Sequence, residues 1–105
     1  MDCEQIDLHD AILKKMAVDY VAKSVSISVD LYRDKNVPGR IPAIIVFDEV
    51  DSLSHITDIK ELKEHTFAGH ISYWKPAKAN ETTFIYLTAG CIAITAGKIS
   101  ITQET

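Results

Sequence analysis

Seven residues carry the chemistry this sequence could do. Asp48, Glu49 and Asp51 form an acidic run, His70 starts a later apolar segment, and Trp74 closes it; His9 and Asp10 stand side by side near the N-terminus. Carboxylates and an imidazole brought to one rim could bind a metal or a polar small molecule. Their spacing, however, matches no zinc pattern, since the four histidines, His9, His55, His65 and His70, include no helical i, i+4 pair and no H-E-x-x-H. His65 reads as a cation at a helix C-terminus instead. In Leu8-His9-Asp10-Ala11 the adjacent side chains would point apart on a strand, so His9 and Asp10 read as turn-forming residues of unassigned role.

Nucleophile signatures are missing too. There is no G-x-S-x-G, no C-x-x-C, and no local cysteine–histidine signature. The four glycines, Gly39, Gly69, Gly90 and Gly97, all fall at expected turns. None is left for a phosphate-binding loop or a dinucleotide fingerprint. These readings point away from an enzyme and assign no catalytic residue, cofactor or metal. Cys3 and Cys91 are expected as free thiols, Cys91 as a small buried hydrophobe.

A second kind of chemistry is contact. Tyr73, Trp74, Phe84 and Tyr86 lie on two segments expected to be neighbouring strands. On an inner face they would be core; on an outer face they would anchor a partner. Tyr73 and Trp74 must face opposite ways, so one of them should be the more exposed.

The elements that position these residues are mainly strands. Ser24 to Leu31 alternates apolar and polar at period two, with Val25, Ile27, Val29 and Leu31 facing in and Asp30 out. Ile41 to Phe47 is a continuous apolar, β-branched run, expected to be a strand covered on both faces and paired to the first through a Pro38-Gly39 turn. A helix is expected near residues 57–66, capped by Thr57, with Ile59, Leu62 and Phe67 toward the core. Strands follow at 71–74, 82–87, 91–95 and 98–102, with turns at Thr88-Gly90 and Ala96-Gly97. Residues 10–21 suit either an amphipathic helix capped by Asp10 or a strand; the short connection to the next strand favours the strand. The expected fold is α+β, mainly β: an antiparallel sheet or partly open barrel of six to seven strands with one short helix. It forms one domain over 1–105, with 1–8 as an N-terminal tail.

At 105 residues and 47% hydrophobic, the chain is large enough for its own core and too apolar for disorder. A formal net charge of −4 with scattered lysines and arginines disfavours nucleic acid. No apolar run is long enough for a transmembrane helix, and Met1 is followed by acidic residues rather than a secretory signal. A cytoplasmic location without membrane contact is therefore expected.

Leu8-His9-Asp10-Ala11, the alternating strand to Leu31, Val46-Phe47-Asp48-Glu49-Val50, Gly69-His70-Ile71 and Ile85-Tyr86-Leu87 occur in an order that resembles small uncharacterised bacterial β-rich proteins opening with Leu-His-Asp. Some of these resemble immunity proteins of bacterial toxin systems. The resemblance implies a non-enzymatic binding protein acting through a protein–protein surface. The alternative is a small-molecule or metal-binding β-barrel, enzymatic in character, with a carboxylate and histidine rim. A homodimer is expected, by pairing of the C-terminal strand, Lys98 to Thr102, as a sheet edge or by packing of an apolar sheet face.

Overall fold

The computed structural model describes residues 3–32, 38–64 and 69–103. After a 3-10 turn, Cys3–Gln5, six strands form one antiparallel sheet in the order β1-β2-β3-β6-β5-β4. They are β1 (Ile12–Asp19), β2 (Ser24–Tyr32), β3 (Arg40–Thr57), β4 (Ile71–Lys75), β5 (Thr82–Leu87) and β6 (Gly90–Gln103), with a helix α1 (Ile59–Glu64) between β3 and β4.

Residues 12–19 form a strand, and the reason lies in the turn that follows. The Asp19 carboxylate accepts hydrogen bonds from the Val21 and Ala22 N–H groups at 3.0 and 2.9 Å, and Lys23 takes a φ of 56°. This local turn hands the chain directly back as β2. Val25, Ile27, Val29 and Leu31 are all buried, as their period demands. Asp30 faces the other way and pairs with Lys14 at 3.4 Å. Two apolar rows cross four strands on the inner face: Met16, Ile27, Ile45, Ile101, and Val18, Val25, Phe47, Ile99.

β3 departs from expectation in two ways. It is covered on one face: Ala43, Ile45 and Phe47 are buried, while Ile44 and Val46 are half-buried. It also does not end at Phe47 but runs through Asp48, Glu49 and Asp51 to Thr57. Likewise Ala96-Gly97 is no turn, because β6 is continuous to Gln103. Both strands instead change phase at the same place. Inward positions pass from Phe47 to Val50 in β3 and from Ala96 to Ile99 in β6. Glu49 takes φ 54°, a register shift falls between Val50 and Ser52, and a Cβ on Gly97 would lie 2.4 Å from Glu49 Oε2. Glycine serves there as a close-approach point inside a strand. The kink lets one apolar face continue around a corner.

The corner divides the sheet into two halves joined by the long β3–β6 pair. β2 pairs with β3 from Arg40 to Phe47, and β5 pairs with β6 from Gly90 to Thr95. Lys98 to Thr102 is a sheet edge as expected: beyond Thr95, among the described residues, β3 is the only strand partner of β6, and the 3-10 turn lies against its other side, with Cys3 Sγ 4.0 Å from Ile99 O.

The two ends of the sheet meet through backbone. Asp10 N donates to Ile71 O, and His70 N and Ile71 N both donate to Ala11 O, at 2.9 to 3.0 Å. Arg40 Nε donates to Asp10 O at 3.1 Å. The segment expected as a tail is part of this closure. Leu8 and Ala11 are fully buried, and Trp74 Nε1 donates to Ile6 O at 2.8 Å. Trp74→Phe should therefore lower stability by about 1 kcal/mol, the net contribution of one hydrogen bond, read in urea melts.

α1 begins at Ile59 and its cap is Asp58, not Thr57: Asp58 Oδ1 accepts from Glu61 N at 3.1 Å. Leu62 is buried, whereas Ile59 is 76% exposed. The expected roles of His65 and Phe67 lie outside the described residues.

Candidate functional site

The acidic run and the histidine are not assembled into one centre. Asp48 sits opposite Lys98 in the β3–β6 ladder, Glu49 marks the corner and Asp51 the register shift. His70 belongs to the far closure. Its Nδ1 lies 3.3 Å from Leu13 O, and its buried Nε2 has no hydrogen-bond partner among the described residues. No group of three or more histidine, cysteine, aspartate or glutamate side chains among the described residues is placed to hold a metal ion.

His9 and Asp10 do meet, contrary to the strand-based expectation. Residues 8–10 form a turn rather than a strand, and Asp10 takes φ 64°. His9 Nε2 lies 3.4 Å from Asp10 Oδ2 and its Nδ1 lies 2.7 Å from Ser72 O. Both ring nitrogens are thus engaged, and the pair fastens the N-terminal turn to β4.

Trp74 is 7% exposed, with its indole N–H bound, so it is a core residue. Its neighbour Tyr73 faces out, and with it the outer face of the second half-sheet becomes a continuous surface. The register aligns Ile56, Cys91, Tyr86 and Tyr73 in one row across β3, β6, β5 and β4. The next row is Ser54, Ala93, Phe84 and Lys75. Tyr73 and Tyr86 stack with centroids 4.8 Å apart, and Phe84 follows Tyr86 at 6.0 Å. Ile56 is 77% exposed, Tyr73 51% and Phe84 36%.

The surroundings of Tyr86 push its hydroxyl above the ordinary 10.0: loss of solvent first, then Tyr73, the Cys91 thiol and a hydrogen bond with Tyr73. The phenol stays protonated at neutral pH and keeps its donor. The surface therefore offers flat apolar rings with hydroxyl groups at their tips, a combination suited to anchoring a partner. Cys91 belongs to this outer row and is half-buried, not a core residue.

Sequence reasoning singled out Tyr73, Phe84 and Tyr86 but missed Ile56, Cys91 and Ala93. Reading β3 past its acidic run would have placed Ser52, Ser54 and Ile56 on one face at period two.

A shallow cleft of about 260 Å³ opens where β2 and β3 diverge. Val18, Tyr20, Val25, Val50 and Leu53 line it, with Asp19, Lys23 and Asp51 at its mouth. No helix among the described residues is long and apolar enough to cross a membrane. No family model, no curated protein and no solved structure matches the chain.

Proposed function

We propose that this protein is a small non-enzymatic binding protein that works through a protein–protein surface, in the manner of bacterial immunity proteins, with the outer aromatic face of β3, β6, β5 and β4 as its contact. The observation that carries this reading is the pair of aligned rows in which Tyr73 and Phe84, both exposed, stack on either side of the half-buried Tyr86. Rigid aromatic side chains expose large contact area at small entropic cost, so they dominate interface energetics. A net charge of −4 disfavours nucleic acid and favours a partner with a basic rim. A reducing cytoplasm suits Cys3 and Cys91, which form no disulfide with each other.

The test compares the native chain with a Tyr73→Ala/Tyr86→Ala variant, co-expressed with the proteins encoded by neighbouring genes and assayed for protection of the cells. Protection by the native chain and its binding of one of those proteins are expected, with affinity at least about 30-fold weaker in the variant, the loss of one strong anchor. Both side chains lie on the outer face, so the fold should persist in circular dichroism. Equal protection and binding by the two chains would remove the assignment of this face. Turnover of a small molecule without any stable partner would remove the binding-protein reading itself.

A further inference from the structure

From Ser52 to Thr57, β3 pairs with β6 on one side, and among the described residues no strand occupies the other. β2 has already left at Phe47, and the last contact on that side is Val50 N donating to Lys23 O at 2.9 Å. An unpaired strand edge is a template for another strand. The other edges carry devices that blunt them. β1 has exposed Lys14 and Lys15 beside a register shift, and β4 is five residues long with its own shift, Lys75 and Pro76. The outer side of β6 beyond Thr95 has the N-terminal 3-10 turn against it. The β3 edge begins just after the register shift between Val50 and Ser52 and carries none of the other devices. Ser52-Leu53-Ser54-His55-Ile56-Thr57 contains no lysine, arginine, carboxylate or proline, and its register with β6 is unbroken.

We infer that this edge pairs with itself: two copies of the chain join their β3 strands antiparallel about a two-fold axis at Ser54, and the two sheets become one. A second copy is the occupant because the segment is self-complementary in this arrangement. Ser54 faces Ser54 of the other copy, Leu53 faces His55, and Ser52 faces Ile56. No charged side chain is brought against another within the six-residue edge. Ile56, 77% exposed in the single chain, gains a neighbour. The edge meets the aromatic rows at Ser54 and Ile56, but the pairing is by backbone and uses none of Tyr73, Tyr86 and Phe84, so the inference does not depend on the function proposed for them.

Sedimentation equilibrium at micromolar concentration tests it. The native chain should give twice the chain mass of 11.7 kDa. Ser54 is exposed, so Ser54→Lys and Ser54→Glu should each keep the native circular dichroism and melting profile. Each should weaken the dimer by about tenfold or more, since like charges then meet at the axis. Mixing Ser54→Lys with Ser54→Glu should restore the dimer, a result that only direct pairing of position 54 produces. A native chain that stays at 11.7 kDa overturns the inference. So does a dimer that both variants leave intact, including one that Tyr73→Ala disrupts instead.

Discussion

Ile27→Ala is expected to lower the free energy of unfolding by about 2–5 kcal/mol, the usual range for emptying a buried aliphatic site. Ser28→Ala, one residue on, should change it by less than about 0.5 kcal/mol, as for most surface substitutions. Ile27 is fully buried between Met16 of β1 and Ile45 of β3, in the row that ends at Ile101. The row joins four strands, so a cavity there is felt by every pairing in the first half-sheet. Burying the side chain contributes about 1.5–3 kcal/mol by transfer alone, and the unfilled space accounts for the rest. Ser28 sits on the opposite face, between Lys15 and Ile44. Urea melts of the two variants decide the matter. A larger loss for Ser28→Ala would reverse the two faces of the sheet.

Gly69→Ala should be comparably damaging, at about 2–6 kcal/mol, because backbone strain and overpacking add. Gly69 takes φ 87°, and a Cβ there would lie 2.2 Å from Asp10 O. The atom it meets is backbone, and it cannot swing aside. Moving it would break the bonds from His70 N and Ile71 N to Ala11 O, which join the two ends of the sheet. Gly39→Ala is the control. Gly39 also has a positive φ, 91°, but nothing lies within 4 Å of its ideal Cβ. It should lose only the strain contribution of about 1–3 kcal/mol. Thermal melts with near-ultraviolet circular dichroism of Trp74, which lies beside this closure, provide the measurement. Equal losses at the two glycines would show that the close approach at Gly69 has no energetic weight.

Period and local turn chemistry make part of this protein legible without any structure. The alternation from Ser24 to Leu31 set which side of β2 is buried, because neighbouring strand residues must face opposite ways. The same rule separated Tyr73 from Trp74. The short connection to β2 favoured a strand for residues 10–21, and the run of short β-branched segments marked the class, one antiparallel sheet with one short helix. The missing catalytic spacings were equally legible.

Tertiary structure decided what local signals leave degenerate. Glycine in Ala96-Gly97 and the polar run Asp48–Asp51 are consistent with a turn or with a kink in a continuing strand. The choice went to the kink because each strand has the other as its partner, with Gly97 making room for the Glu49 side chain. The segment before β1 carries too few apolar residues to reveal that Leu8 and Ala11 would be buried. Their burial comes from β4, some sixty positions later, folding back through Gly69. Nor could the aromatic residues announce an outer surface, since Ile56 and Cys91 join them only through the pairing of β3, β6 and β5. Face and turn preference are properties of a few consecutive residues; partner choice is a property of chain closure over long separations. The acidic run and His70 were therefore readable as residue types, but their failure to converge was not.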